Sequence, residues 1–452
     1  MNESAPTNTV SATWTRPFVP PSKVPASAEV VVIGGGIVGV STAWFLAKQG
    51  VNVVLCEKGH IAGEQSGRNW GWVRVQARDT REMPMIVESM NIWRGLAEEI
   101  GEDVGYRETG CLFAASNDAQ LESFSAWLKT AEEYGIDTKI VSAEELGNHV
   151  RGSAVSWRGA MITSTDGRAE PHKAAPAIAR AAERKGATVL TACAARGIET
   201  AGGRVAAVVT EHGIIRTSVV LCAAGAWSSM FCRSLGIAVP QLRVRGTVVR
   251  TAPGEAVLDG NLFDERLGIR RRLDGGYTVA HGTILDHPIT PSTIRYAFKF
   301  LPALMQERKG LNLSIGREFI DEWRTPRAWA LDDTSPFERT RVLDPEPNPR
   351  VVRGIRENID TVFPGLAGTD IVEAWAGMVE TSPDVVPIIE EMQSIPGFHI
   401  ATGFSGHGFG IGPGAGKAIA GMLTGNDSGI DLGDFRLSRF FDGSKIQLQE
   451  SI

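Results

Sequence analysis

Cysteine is scarce in this sequence, and so are long apolar runs. The five cysteines are spread between residues 56 and 232 and form no Cys-x-x-Cys pair, so we expect neither a metal site nor a disulfide framework. No stretch approaches the roughly 18 apolar residues that a membrane-spanning helix needs. Residues 1–28 lack the basic start and apolar core of a signal peptide. Free thiols favour the cytoplasm, where a peripheral position on the inner face of the membrane stays open.

Excess positive charge is also lacking. The chain carries 46 Lys and Arg against 52 Asp and Glu, and this net charge of −6 argues against a nucleic-acid partner. Its 43% hydrophobic and 22% charged residues are ordinary for a globular protein. A length of 452 residues favours two or three domains.

The strongest motif lies near the N-terminus. Residues 29–33 predict a buried parallel strand that runs directly into Gly34, Gly36 and Gly39, spaced as G-x-G-x-x-G. A predicted helix to residue 49 and a second apolar run ending on Glu57 complete the order expected of a dinucleotide-binding unit. A chance glycine-rich turn is the alternative, but it does not explain the whole order. We therefore expect an adenine dinucleotide.

Three separated segments allow the backbone to approach a ligand closely. They are residues 34–39, 222–228 and 403–416, the last of which precedes a predicted helix over 417–423. A large cofactor held from several sides explains this spread better than a nicotinamide dinucleotide does. The positive N-terminal end of the last helix also suits the negative charge of a reduced flavin. The sequence thus favours FAD.

These segments, together with SGRNWG (66–71), DGRAEP (166–171) and EAWAGMVETSPDVVPII (373–389), resemble the D-amino-acid oxidase superfamily. The resemblance implies an α/β fold in which a Rossmann-like FAD-binding domain is interleaved with an α+β substrate domain built on a large, mostly antiparallel sheet. The predicted parts are an extended N-terminal arm (1–28), a discontinuous FAD-binding domain (29–103, 166–238 and 369–428), a substrate domain (104–165 and 239–368) and a C-terminal tail (429–452).

The resemblance also implies roles along the cofactor. Gly34, Gly36 and Gly39 would hold the pyrophosphate, and Glu57 would hold the adenosine ribose. The other residues expected near the flavin are Ser66, Gly67, Arg68, Asn69, Gly225, Trp227, Gly406, His407, Gly408, Phe409 and Gly410. His407 is either catalytic or a loop histidine that bonds backbone. Residues 66–71 form what we call the flavin loop. Non-covalent FAD is expected, because no cysteine follows Cys232 and the flavin loop carries Arg68-Asn69 instead of the family's attachment histidine.

Two departures from the family pattern bear on the substrate. In relatives, an arginine at the position of Val379 or a lysine at that of Gly410 binds the substrate carboxylate. Their absence here argues against glycine or a simple D-amino acid as the substrate. Glu380 is predicted either to face a cationic group of the substrate or to pair with an arginine such as Arg324. The full set of substrate-side candidates is Trp70, Trp72, Arg74, Arg271, Arg324 and Glu380. Core filling is the alternative for the two tryptophans.

Thr278 is assigned a catalytic position together with His407 and Glu380. In sarcosine oxidase a lysine lies there, and its charge stabilises superoxide as it forms. A neutral threonine favours a dehydrogenase with a quinone or dye as electron acceptor over an oxidase that uses oxygen, although protonated His281 or His407 would also supply charge.

The implied reaction is hydride transfer from the carbon beside an amine nitrogen to flavin N5, followed by imine hydrolysis. The substrate would be a small amine or an N-substituted or D-amino acid. One alternative is a flavoprotein subunit of a multi-subunit amino-acid or opine-type dehydrogenase. Another is a non-catalytic dinucleotide-binding module that senses redox state. A homo-oligomer is compatible with the sequence.

Overall fold

A computed structural model of the protein describes residue 18, residues 23–307 and residues 310–448. Most of the predicted N-terminal arm lies outside these residues. Where the arm joins the fold, Ser27 pairs with Arg216, and the Ala28 amide donates to the Arg216 carbonyl. In the predicted C-terminal tail, Phe435, Leu437 and Phe440 are buried.

The described residues form twelve α-helices and twenty-two strands. The helices are α1 (Ile37–Lys48), α2 (Gln65–Arg68), α3 (Met83–Ile100), α4 (Asp118–Glu133), α5 (Ala143–Leu146), α6 (Pro171–Arg184), α7 (Ser228–Ser234), α8 (Pro291–Glu307), α9 (Arg317–Arg324), α10 (Pro336–Arg339), α11 (Pro349–Val362) and α12 (Gly408–Thr424). The strands are β1 (Val30–Ile33), β2 (Val53–Cys56), β3 (Trp72–Val73), β4 (Arg107–Glu108), β5 (Cys111–Ala115), β6 (Thr138–Ser142), β7 (Gly159–Thr163), β8 (Gly167–Arg168), β9 (Thr188–Leu190), β10 (Ala195–Ala201), β11 (Arg204–Thr210), β12 (Gly213–Arg216), β13 (Val219–Cys222), β14 (Leu242–Thr251), β15 (Asn261–Phe263), β16 (Leu267–Arg271), β17 (Tyr277–His281), β18 (Leu285–Pro288), β19 (Leu311–Ser314), β20 (Ile371–Thr381), β21 (Ile388–Glu391) and β22 (Phe398–Thr402).

A six-stranded sheet carries the N-terminal motif. Its order is β21-β22-β13-β1-β2-β9, and every neighbouring pair is parallel except β21 with β22. All four residues of β1 and of β2 are buried, as their valine-rich runs predict for a sheet covered on both faces. Helix α1 packs against α6 and α12, and α12 packs against α3. Short sheets β10-β11-β12 and β3-β8-β4 flank this core.

A ten-stranded sheet forms the second layer. Its path is β19-β18-β14-β17-β16-β15-β5-β7-β6, with β20 also paired to β14. All its pairs are antiparallel except β15 with β5 and β18 with β19. The predicted α/β fold with a large, mostly antiparallel sheet is therefore confirmed. The domain boundaries stay a prediction: β20 falls within the segment 369–428 assigned to the FAD-binding domain, yet it pairs with β14 along almost its whole length.

Helix α12 begins nine residues earlier than predicted, at Gly408 instead of residue 417. Several of its glycines lie where helices cross too closely for side chains. A Cβ atom built on Gly414 would stand 2.2 Å from the Met85 carbonyl oxygen, and one on Gly416 would stand 2.5 Å from the Ser41 Cβ. The predicted start at residue 417 was wrong, because close packing against α1 and α3 outweighs the low helix propensity of glycine.

Candidate cofactor and active site

A deep cleft lies at the carboxyl ends of β1, β2 and β13. Gly34, Glu57 and Ala223, the residues that directly follow these strands, all line it. Ligand sites of open parallel sheets occur at this edge. The position suits an extended ligand.

The N-terminus of α1 opens into this cleft. Its first turn contains no acidic residue, and the Ile37 amide donates to the Ser66 hydroxyl at 2.8 Å. Gly34 has φ of +115°, and a Cβ there would stand 2.3 Å from the Ala223 carbonyl oxygen. A Cβ on Gly39 would stand 2.0 Å from the Gly34 carbonyl oxygen. Gly34 thus permits the turn and Gly39 the close helix–strand contact, leaving free helix amides for an anion.

Glu57 borders the same cleft. Its carboxylate accepts hydrogen bonds from the Gly35 amide at 2.7 Å and the Gly59 amide at 2.7 Å. Burial raises the pKa of Glu57, and these two hydrogen bonds act in the opposite direction. A carboxylate fixed in this way keeps lone pairs for ribose hydroxyls, as the sequence analysis expects.

Trp227 is held at the cleft by charged residues that are distant in sequence. Its indole N–H donates to both carboxylate oxygens of Glu64 at 3.0 Å. Lys58 Nζ lies 2.7 Å from Glu64 Oε1 and 4.3 Å from the centre of the Trp227 ring. The guanidinium of Arg243 lies 5.2 Å from that ring. These three charged residues were not predicted from the sequence, because no local pattern connects them to Trp227.

The N-terminus of α12 reaches the cleft through Gly406, Gly408 and Phe409. His407, the N-cap residue, instead turns to the buried Glu82, whose carboxylate lies 3.0 Å from His407 Nδ1. Burial lowers the pKa of His407, and the neighbouring Arg78 adds to this effect while Glu82 opposes it. The first turn of α12 has no acidic residue, so a second helix N-terminus faces the cleft with its positive end.

Glu380 projects from β20 into the cleft. Its side chain is buried, and a Cβ built on Gly225 would stand 4.0 Å from its Oε2 atom. Burial raises the pKa of Glu380 to about 7, against the opposing effects of the Glu380 and Phe404 backbone amides and of Arg243. Arg243 is its partner in the β14–β20 register, and donates to the Ala226 carbonyl at 2.9 and 2.6 Å. No ion pair joins Glu380 to Arg324, which is exposed on α9, within the described part of the chain.

The cleft brings together most, but not all, of the predicted cofactor residues. Those that line it are Gly34, Gly36, Glu57, Ser66, Asn69, Gly225, Trp227, Gly406, Gly408 and Phe409. Those that lie behind this lining are Gly39, Gly67, Arg68, His407 and Gly410. Arg68 donates to the Gly63 carbonyl at 3.1 Å and the Ala376 carbonyl at 3.1 Å, which ties the flavin loop to β20.

The predicted substrate residues are more dispersed. Only Glu380 lines the cleft. Trp70 and Trp72 form an edge-to-face pair with centroids 5.3 Å apart, and Arg271 pairs with Asp259 at 3.0 Å. Arg74 makes no ion pair within the described residues and lies over the Phe113 ring at 5.1 Å. Of the three arginines proposed from sequence, only Arg271 has a carboxylate partner among the described residues, and Arg74 is the less exposed of the other two.

Arg74 belongs to a buried polar cluster behind the flavin loop. Gln76 is fully buried, and neither atom of its amide has a hydrogen-bond partner in the structure. Burial lowers the pKa of Arg78 to about 9, with the adjacent Arg74 charge adding to the effect. Burial raises the pKa of Asp166 to about 7, although it accepts from the Val75 and Gln76 amides. These polar groups are costly to bury unpaired.

Thr278 is buried among arginines rather than on the cleft wall. Its hydroxyl accepts from Arg270 and from Arg272, each at 3.2 Å. Arg270 is fully buried and pairs with Glu170 at 3.0 Å, while Arg272 pairs with Asp274. Thr278 itself is neutral, but the guanidinium groups of Arg270 and Arg272 bring positive charge beside it. Each of these two groups has an acidic partner.

No helix among the described residues is both long and apolar enough to cross a bilayer. Nor do these residues contain a group of three or more His, Cys, Asp or Glu side chains suited to a metal ion.

The parallel sheet, the glycine turn and the two helix N-termini on one cleft define a dinucleotide-binding protein of the Rossmann type. The residues present fit FAD: open backbone at Gly36 and Gly406, amides at the start of α1 for a pyrophosphate, and the Glu57 carboxylate for a ribose.

The chain belongs to the family of FAD dependent oxidoreductases, whose family model matches residues 29–422. The L-amino acid deaminase from Proteus myxofaciens has a similar structure, with a TM-score of 0.89 and 35% identity over 92% of this chain and 94% of that one. Sarcosine dehydrogenase of Mus musculus is 27% identical over 94% of this chain. Sarcosine oxidase subunit beta of Rhizobium meliloti is 22% identical over 92% of this chain and 89% of that one.

The extent of the match differs among these proteins. This chain spans only 42% of mouse sarcosine dehydrogenase, less than half of its length. The Proteus deaminase and this chain, by contrast, cover each other almost completely.

Proposed function

We propose that the protein is an enzyme that uses FAD to oxidise a C–N bond in a small amine or amino acid. The relatives act, by their names, on L-amino acids and on sarcosine, and both kinds of substrate carry an amine nitrogen beside an oxidisable carbon. The observation that carries the proposal is the cleft itself, which joins two helix N-termini and Glu57 to the buried carboxyl of Glu380. Bound FAD supplies the hydride acceptor.

Within this proposal, each wall of the cleft has one task. Amides at the start of α1 hold the pyrophosphate, Glu57 holds the ribose, and Trp227 is fixed beside the cofactor by Glu64. The N-terminus of α12 stabilises negative charge on the reduced ring. The water-poor setting around Glu380 strengthens its attraction for a cationic amine once it is ionised.

Arg74 is the proposed anchor for a substrate carboxylate. Its lack of an ion-pair partner supports this role, whereas Arg271 is already paired and Arg324 lies on an exposed helix. This arrangement suits an amino acid or N-alkyl amino acid better than a simple alkylamine.

We also propose that FAD is bound without a covalent link. All five cysteines are buried, none lies beyond residue 232, and His60 is not among the residues that line the cleft. Acid precipitation of the purified protein is expected to leave the yellow colour in the supernatant. Colour in the pellet would contradict non-covalent binding.

A dehydrogenase that passes electrons to a quinone or dye remains the preferred form of this proposal over an oxidase. Arg270 and Arg272 lie beside Thr278, but Glu170 and Asp274 pair with them, so neither guanidinium is left unpaired there. The similarity to sarcosine oxidase subunit beta supports a second candidate, in which this chain is the flavoprotein subunit of a larger assembly.

An anaerobic flavin-bleaching screen tests the proposed function. Amines, L- and D-amino acids and N-alkyl amino acids are added in turn to the yellow protein without oxygen. Loss of the flavin absorbance with a member of one class is the expected result. The carbonyl compound formed from that substrate identifies the C–N bond that is oxidised. If no compound of these classes bleaches the flavin, a non-catalytic module that senses redox state is the better interpretation of this protein. Air-saturated buffer or a quinone, added next, separates oxidase from dehydrogenase by the rate of reoxidation.

A further inference from the structure

Backbone strain marks two segments beside the cofactor cleft. Among the described residues, the non-glycine residues with a positive φ are Ala62, Ala77, Ala192, Val385 and Ser405. Val385, with φ of +64°, is the β-branched member of this group, and its branched side chain makes this conformation a genuine outlier. Ser405 has φ of +50°. Such strain persists only where the surrounding structure holds it in place, and it is frequent at functional sites.

Val385 and Ser405 belong to segments that contact each other. Residues 382–387, which we call the strained loop, connect β20 to β21. The Ser382 amide donates to the Ser405 hydroxyl at 3.3 Å. Glu380 precedes the strained loop by two residues, Gly406 directly follows Ser405, and both line the cleft. A shift of the strained loop would therefore move two parts of the cleft wall.

Arg439, in the predicted C-terminal tail, holds the strained loop with its guanidinium group. Its Nε and Nη2 atoms donate to the two carboxylate oxygens of Asp384 at 2.8 and 3.0 Å. Nη2 also lies within hydrogen-bonding distance of the carbonyls of Val386 at 2.9 Å and Pro387 at 3.0 Å. Both charged side chains are buried. These contacts fix the chain on either side of Val385, and they account for the survival of its strained conformation.

Arg81 binds the same carboxylate from a second direction. Its Nη1 atom donates to Asp384 at 3.1 Å, and its Nε and Nη2 atoms donate to Asp79 at 2.9 and 2.7 Å. The next residue, Glu82, holds His407 at the N-terminus of α12. The strained loop is thus joined to the start of α12 through the short turn that carries Arg81 and Glu82.

We propose that Arg439 is a positioning residue for the flavin. By holding the strained loop, it fixes Glu380 and the N-terminus of α12 relative to the cofactor and thereby sets the reduction potential of bound FAD. Arg439 is not among the described residues that line the cleft, so it acts through these other groups. The attraction of a helix N-terminus for negative charge falls off within one turn, so a small displacement of α12 changes how well it stabilises the reduced ring. The inference rests on the proposed position of the flavin beside α12.

The reduction potential of the FAD-loaded full chain, measured against a reference dye, tests this proposal. Arg439→Gln should lower the potential by about 30 mV or more, which for a two-electron couple is a tenfold weaker preference for reduced over oxidised FAD. Arg439→Lys should lower it as well, because a single ammonium group cannot replace the planar fork that binds both Asp384 oxygens. Arg180→Gln is the matched control. Arg180 donates to Glu102 at 2.9 and 2.6 Å between α6 and the end of α3, and its loss should leave the potential unchanged.

Strain relief supplies a second variant. Glycine adopts positive φ without steric cost, so Val385→Gly lets the strained loop keep its conformation without the arginine. Adding Val385→Gly to Arg439→Gln should restore at least half of the lost potential. If Arg439→Gln does not fold, Arg81→Gln takes its place, since it leaves the Arg439–Asp384 pair intact. This variant should lower the potential by a smaller amount.

Hydrogen exchange of the apoprotein measures the loop without the cofactor. Arg439→Gln should accelerate exchange at least ~10-fold in residues 382–387 and 404–410, and Arg180→Gln should not. This measurement requires neither substrate nor FAD, so a failure of the proposed function leaves it valid. Unchanged exchange in Arg439→Gln would overturn the proposal. So would faster exchange with an unchanged potential, or an equal fall in potential in Arg180→Gln, because these results would make Arg439 a purely structural contact.

Discussion

Two glycine-rich segments of this protein have similar composition but different tasks. In residues 34–39 the glycines form a turn before α1, and Gly34 and Gly36 line the cofactor cleft. Of the glycines in residues 403–416, Gly406 and Gly408 line that cleft, whereas Gly412, Gly414 and Gly416 lie inside α12.

The contacts of a hypothetical Cβ atom separate Gly36 from the glycines inside α12. On Gly36 it would stand 3.2 Å from the Ser66 hydroxyl and otherwise meet open space. On Gly412 it would stand 2.8 Å from Ile37, and on Gly414 2.2 Å from the Met85 carbonyl oxygen. Glycine therefore leaves room for a ligand at Gly36 and for neighbouring helices at Gly412 and Gly414. Composition alone does not distinguish these two uses.

The largest expected effect that tests this comparison is on cofactor affinity. Gly36 has φ of −75°, which any residue adopts, so Gly36→Asp should fold. Its carboxylate would face the cofactor pyrophosphate near the α1 N-terminus and cost about 4 kcal/mol of binding free energy, roughly a 1,000-fold loss of FAD affinity. Titration of the apoprotein with FAD measures this loss of affinity. Gly95→Asp, at an exposed position of α3 with open space around it, is the control and should bind FAD normally.

A smaller effect, on stability instead of affinity, is expected in the second segment. Gly414→Ala should lower the free energy of unfolding of the apoprotein by about 2 kcal/mol, because the α3 backbone must shift to admit a methyl group. Gly410→Ala, whose nearest contact is 3.4 Å from the Trp72 carbonyl oxygen, should be neutral or gain up to about 1 kcal/mol of helix propensity. Urea unfolding compares the two. An affinity loss in Gly414→Ala with unchanged unfolding would assign this glycine to the ligand and break the comparison.

The smallest expected effect concerns Glu380, which lines the same cleft. Because the pKa of Glu380 is raised to about 7, its charge should appear as the pH rises from 6 to 8, and KM for a cationic substrate should fall about 10-fold over that range. Glu380→Gln should abolish this dependence. Glu373→Gln, on the same strand but paired with Arg250 at 2.7 Å, should retain it.

Stability gives a second readout for Glu380. A carboxyl whose folded pKa exceeds its unfolded value binds more protons in the folded state, so its contribution to stability is present below about pH 4.5 and is lost as the pH rises through 7. Glu380→Gln should remove that part of the decline. An unchanged pH profile of both KM and unfolding in this variant would show that Glu380 does not titrate in the cleft.

Local patterns were sufficient for the N-terminal unit. A valine-rich run, spaced glycines, a helix and a terminal carboxylate occur within about 30 residues of one another, and the structure has β1, α1, β2 and Glu57 in that order. The predicted start of α12 was wrong. Intrinsic propensity disfavours glycine in helices, and only close packing against α1 and α3 makes glycine favourable at those positions. The fold class was predictable from the resemblance, whereas the domain boundaries stay a prediction.

The sequence by itself determined that this chain binds a dinucleotide at the end of β1, since the required residues are close neighbours along the backbone. Only the tertiary structure decided which charges meet around the cleft. Glu64 reaches Trp227 across 163 residues, and Arg270 finds Glu170 across 100. Such pairs form because a buried polar group must find a partner wherever the folded chain brings one, and the fold, not the order of residues, sets that neighbourhood.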